Sequence, residues 1–109
     1  MYEYSAKVLS VYDADTITVD IDLGCWVSID KEKCRLYGID APEMRGEERP
    51  EGIKARDALR ELILGKQVTI KTYKDKTGKY GRLLVDVYHD GVNVNHWLVD
   101  NGYAEFREY

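Results

Sequence analysis

Long apolar runs are missing from this chain of 109 residues. Nothing in it approaches the roughly 18 consecutive apolar residues that a membrane-spanning helix needs. Cysteine is scarce as well. Cys25 and Cys34 stand nine positions apart, with no CxxC pair and no Cys/His grouping at zinc-ligand spacing, so a structural zinc is not expected. The two thiols flank a predicted hairpin, where the pattern allows a cross-strand disulfide and favours reduced thiols. The opening MYEYSAKVL is short and mixed and lacks the basic-then-apolar start of a secretory leader. A cytoplasmic location is the expectation, with a longer exported precursor as the alternative.

An excess of basic residues is also lacking: the net charge is −4 and the pI is about 5.2. Proteins that hold nucleic acid through many phosphate contacts are usually basic. The acidity therefore disfavours a strong general nucleic-acid binder, but not an enzyme with a small charged cleft. What is present describes an ordinary soluble globular chain, 44% hydrophobic and 33% charged. Its length suits a single domain over residues 1–109, able to bury roughly 60–70% of its unfolded surface. A monomer is expected.

The periodicity is mostly that of strands. Residues 5–12, SAKVLSVY, begin a first strand. From Thr16, the residues Ile17, Val19, Ile21 and Leu23 alternate with Thr18, Asp20 and Asp22, a half-buried strand. The chain is expected to turn around Asp30-Lys31 and return through Cys34, Leu36 and Tyr37, with Gly24 marking a bulge. After the polar loop MRGEERPEG, Pro50 opens a helix in which Ala55, Leu59, Leu62 and Ile63 recur at helical spacing, and Gly65 caps it. Two further strands follow, through Val68, Ile70 and Thr72, then Leu83, Val85 and Val87. A short helix with Val94, Trp97 and Leu98 on one side stops at Gly102. The order β-β-β-α-β-β-α matches the five-stranded Greek-key barrel of the OB-fold, an α+β architecture that is mainly sheet. Trp26 is assigned to barrel packing or an oligomer contact, and His89 and His96 to structural positions.

Five charged residues fall at the predicted strand ends: Asp15, Arg35, Asp40, Glu43 and Arg82. In a small barrel such ends can converge. Asp15 and Asp40 could hold a hard divalent cation, with backbone carbonyls and water completing its shell, and so few protein charges imply weak calcium binding. Glu43, held by Pro42, could orient or deprotonate a water. Arg35 and Arg82 could clamp a phosphate, because phosphoryl transfer gathers negative charge that fixed guanidinium donors bind. Taken singly, each residue has a cheaper reading; an Asp in the turn Asp13-Ala14-Asp15 ordinarily hydrogen-bonds its own backbone. The functional reading needs the set.

These motifs resemble the staphylococcal-nuclease-like (thermonuclease) domain family. VYDADT is similar to the family's strand-DGDT segment, and RLYGIDAPE follows its Arg-x-x-x-x-Asp-Thr/Ala-Pro-Glu pattern. KYGR is a third signature, and DGVNVNHWLVDNGYA resembles the closing DG-x-x-x-N-x-x-L-V-x-x-G-x-A segment. The resemblance runs from about Lys7 to Tyr103. It implies calcium ligands at Asp15, Asp40 and the backbone carbonyl of Ala41, with Glu43 as general base and Arg35 and Arg82 on the scissile phosphate. It places Lys79 and Tyr80 at a terminal phosphate. It further implies hydrolysis of single-stranded or frayed DNA and RNA, leaving 3′-phosphates.

Three departures carry expectations. Ala14 stands where the family has glycine, which would strain the turn if that position needs φ > 0. Ala41 replaces threonine, harmless if only its carbonyl serves. Glu108 falls near the family's first base-stacking aromatic and the chain stops at Tyr109, so the family's C-terminal helix is expected to be missing and substrate affinity low. The rival reading is a catalytically weak or inactive OB-fold module that binds nucleic acid or peptide.

Overall fold

The computed structural model describes residues 2–77 and 82–107, the side chains of residues 74–77 excepted. Four strands come first: β1 (Tyr2–Asp13), β2 (Thr16–Gly24), β3 (Val27–Leu36) and the short β4 (Ile39–Asp40). A single 3-10 turn, Gly46–Glu48, leads into α1 (Arg49–Ile63). Then follow β5 (Gln67–Thr77), β6 (Leu83–His89), β7 (Val92–Asn93), α2 (Val94–Asp100) and β8 (Glu105–Phe106).

Alternating apolar residues make the long strands curl into a barrel. Their order is β3-β2-β1-β5-β6, and β3 returns to β6 to close the ring. That closing pair is parallel, through Cys34↔Leu83, Arg35↔Leu84 and Leu36↔Val85. The expected five-stranded OB-fold with two helices is therefore present. The interior is filled by residues such as Val8, Ile17, Val19, Leu36, Ile70, Val85 and Val87. Ala55, Leu59 and Ile63 of α1 cover it, with Val94 and Leu98 of α2. Each large aliphatic side chain buried there contributes roughly 1.5–3 kcal/mol.

Both helices end as the sequence predicts, with Gly65 (φ 75°) and Gly102 (φ 79°) in the left-handed region. Gly52, in the first turns of α1, has a separate role. A Cβ there would fall on the Glu43 carbonyl and within 3.0 Å of the Pro42 carbonyl oxygen. The helix thus rests directly on the backbone that carries Glu43.

The hairpin between β2 and β3 differs from expectation. It turns at Cys25-Trp26, not at Asp30-Lys31, and both turn residues are left-handed (φ 51° and 62°). Gly24 pairs with Val27 beside that turn. The register shifts between Asp22 and Gly24, where the bulge is expected, and again between Val19 and Ile21, opposite Glu32 and Ile29 on β3. There Lys31 takes φ 54° and donates its N–H to Asp20 Oδ1 at 2.9 Å. The longer hairpin carries its apolar face beyond the barrel, so Leu23 is exposed and Trp26 fully so at 104%. That overturns a packing role for Trp26. Both cysteines are free thiols, Cys25 exposed and Cys34 buried. Burial pushes the Cys34 thiol up to about 12, with a smaller push from Glu32.

Candidate active site

The turn Asp13-Ala14-Asp15 brings the first acid into the end of the barrel. Asp15 N–H donates to Asp13 Oδ1 at 3.1 Å, the local hydrogen bond that such turns favour. Ala14 is buried and is not among the residues with positive φ, so the strain expected of an alanine here does not arise. Asp15 is itself buried, at 8% exposure, and a buried carboxylate requires partners. It has several. Thr16 Oγ1 donates to Asp15 Oδ1 at 3.2 Å, and Ala41 N–H donates to Oδ2 at 3.1 Å. The Arg35 guanidinium lies 3.3 Å from Oδ2 through Nη1.

Arg35 sits on β3, opposite Thr16 of β2 and beside Leu84 of β6. Its other terminal nitrogen, Nη2, donates to Asp40 Oδ1 at 3.3 Å and to the Ile39 carbonyl at 3.3 Å. One guanidinium therefore spans both acids. Asp40 lies on β4, whose partner is β8, through Ile39↔Phe106 and Asp40↔Glu105. Arg82 joins from the start of β6: its Nη1 donates to Thr16 Oγ1 at 3.1 Å. Four of the five predicted charges are thus linked in one chain, Arg82–Thr16–Asp15–Arg35–Asp40.

Burial pushes the Asp13 carboxyl up to about 7, aided by the hydrogen bond to Asp15 and by its charge. The available donors are carboxylate and carbonyl oxygens, the hard ligands that a divalent cation such as calcium or magnesium takes. Among the described residues no group of three or more Asp, Glu, His or Cys side chains is arranged to hold a metal. Asp15 and Asp40 gathered on one guanidinium nonetheless fit a low-charge cation site that relies on backbone oxygens and water. The Ala41 backbone meets Asp15 through its N–H, a donor and not the carbonyl that would ligate a cation.

Glu43 stands apart from this chain. Its exposed carboxylate meets Arg45 Nε at 3.5 Å, and its N–H donates to Glu48 Oε2 at 2.8 Å. Lys79 and Tyr80 lie outside the described residues. Thr16 belongs to the VYDADT motif, which assigns it no role of its own, and it links Asp15 to Arg82; Arg107, outside the motifs, brings Nη1 to 3.9 Å from Asp40 Oδ1 at the margin of the site. Thr16 closes the VYDADT motif and also opens β2, so its position is marked in the sequence although its hydroxyl's role is not. No pattern in the sequence marks Arg107.

The staphylococcal nuclease homologue family model matches residues 33–109. Among curated proteins, the chain is 38% identical over 74 residues to a probable staphylococcal-like nuclease of Oryza sativa subsp. japonica, covering 68% of this chain and 21% of that protein. It is 33% identical over 102 residues to an uncharacterized protein of Bacillus anthracis, covering 90% of this chain and 45% of that one. Against the thermonuclease of Staphylococcus hyicus it is 29% identical over 110 residues, covering 98% and 62%. The chain therefore spans about a fifth of the rice relative's length and less than two thirds of the thermonuclease's. The matching family model covers well over half of the chain and includes Arg35, Asp40, Glu43 and Arg82. By that match, this chain belongs to the staphylococcal nuclease homologue family.

Proposed function

We propose that this chain is a calcium-dependent nuclease that hydrolyses phosphodiester bonds of single-stranded or frayed DNA and RNA, leaving 3′-phosphates. Family membership supports a nuclease. The observation that carries the finer reading is the single Arg35 guanidinium held by both Asp15 and Asp40, with Arg82 joined through Thr16. A purely structural role would not need two acids and two arginines at the meeting point of four strands.

In this reading Asp15, Asp40 and the Ala41 carbonyl hold the cation. When bound, the cation would supply positive charge that offsets the charge gathered in phosphoryl transfer. Arg35, now paired with Asp15 and Asp40, is the guanidinium whose N–H groups would meet the phosphate. Arg82 approaches from β6, so the two guanidiniums reach the phosphate from separate strands. Fixed donors that bind the developing charge more tightly than the ground state contribute on the order of 3–4 kcal/mol each when well aimed. Glu43, an exposed carboxylate on the loop that α1 supports, accepts the proton of the attacking water after leaving Arg45.

The test is cleavage of denatured DNA by the full chain in millimolar calcium, repeated with a chelator and with Glu43→Gln. Chelation should abolish cleavage, and Glu43→Gln should lower kcat by about 10²–10⁴-fold. Cleavage that ignores the chelator, or that persists at full rate in Glu43→Gln, would overturn the mechanism. Binding without cleavage would favour the inactive binding module.

A further inference from the structure

Two arginines meet the same oxygen of Asp40. Arg35 Nη2 lies 3.3 Å from Oδ1 and Arg107 Nη1 lies 3.9 Å from it. They are held very differently. The Arg35 side chain is 8% exposed and bonds Asp15 and the Ile39 carbonyl as well. The Arg107 side chain is 45% exposed. Its backbone is nevertheless fixed, because Arg107 N–H donates to the Gly38 carbonyl at 2.8 Å. The residues before it, Glu105 and Phe106, pair with Asp40 and Ile39. A backbone tied to the strand of a candidate metal ligand thus carries a guanidinium that reaches solvent.

We propose that Arg107 forms a second phosphate subsite and grips a phosphate neighbouring the one being cut. The inference rests on the nuclease reading above. An ion pair at 3.9 Å between half-exposed groups is by itself worth little. A guanidinium meets a phosphate through paired N–H donors, a stronger and more directional contact. With Asp40 committed to a cation, Arg107 loses an anionic partner and a phosphate can replace it. The rest of the surface favours this route. The chain carries a net charge of −4, so local cations have to supply the attraction. The cavity of about 250 Å³ lined by Asp40, Glu48, Glu51 and Glu105 would repel a polyanion.

The test compares two substrates in calcium. One is a single-stranded oligodeoxythymidylate; the other is a dinucleoside monophosphate, which has one phosphodiester and no neighbouring phosphate. Arg107→Ala should raise KM for the oligonucleotide about fivefold to tenfold, with kcat nearly unchanged. The dinucleoside monophosphate should be cleaved as by wild type, and Arg107→Lys should fall between. Oligonucleotide binding to Glu43→Gln protein should lose about one phosphate from its salt slope when Arg107→Ala is added. Equal damage to both substrates would make Arg107 a support for Asp40, and no change in either would make it a bystander; both results overturn the subsite. If wild type cleaves neither substrate, the nuclease reading fails by itself, and the salt slope still decides whether Arg107 touches phosphate.

Discussion

Thr16 places one hydroxyl between two charged groups, donating to Asp15 Oδ1 and accepting from Arg82 Nη1. Valine has nearly the same shape and neither capacity. Thr16→Val leaves the buried Asp15 without one donor and removes a hydroxyl that orients Arg82. We expect kcat/KM to fall about tenfold, the value of one charge-assisted hydrogen bond, with Thr16→Ser close to wild type. Steady-state kinetics on denatured DNA checks this, and a wild-type rate in Thr16→Val would remove the hydroxyl from the site. At this scale the acids and Arg35 were legible because they sit in compact motifs whose spacing survives in the fold. The roles of Thr16 and Arg107 were not. Thr16 closes the VYDADT motif but its hydroxyl's double role does not show in the sequence, and Arg107 reaches Asp40 only because β8 pairs with β4, a contact between distant positions that no local pattern encodes. Glu43 was legible as a residue, but its separation from the arginine-linked chain was not, since its partner Arg45 belongs to an irregular loop.

Helix α1 does more than cover the barrel. Through Gly52 it presses on the carbonyls of Pro42 and Glu43, and so sets the height of the loop bearing the proposed base. Two effects oppose each other in Gly52→Ala. Helix propensity favours alanine by about 1 kcal/mol. The added methyl meets backbone, which no rotamer change can relieve, and such overpacking costs roughly 1–3 kcal/mol. The clash should win: the urea midpoint should drop and kcat should fall with it, as Glu43 is displaced. A raised midpoint with full activity would show that the helix does not bear on the loop. The long strands and both helices were readable from alternation, helical spacing and glycine stops. Strands β4, β7 and β8, of two residues each, are too short to show a period. The hairpin apex was missed for a different reason: Cys25 and Trp26 take left-handed backbone, which glycine and asparagine normally announce.

As a whole the molecule repels its proposed substrate, at a net charge of −4, while its cleft attracts phosphate through a few arginines. Salt acts on both. Added salt first screens the long-range repulsion, then weakens the local contacts. We expect kcat/KM on denatured DNA to rise and then fall between roughly 10 and 300 mM sodium chloride at fixed calcium. A steady fall from the lowest salt would mean that the local arginines dominate at every range. The long hairpin has a consequence of another kind. Strand β2 runs from Thr16, beside the cleft, to Gly24 at the apex, about 25–30 Å at the usual strand rise. Cys25 is exposed at that apex, whereas the Cys34 thiol is buried and held protonated. The fold therefore offers one reactive sulfur at the far end from the cleft. A dye, tether or solid support coupled to it would be fixed at a single defined point, with every molecule presenting its cleft outward.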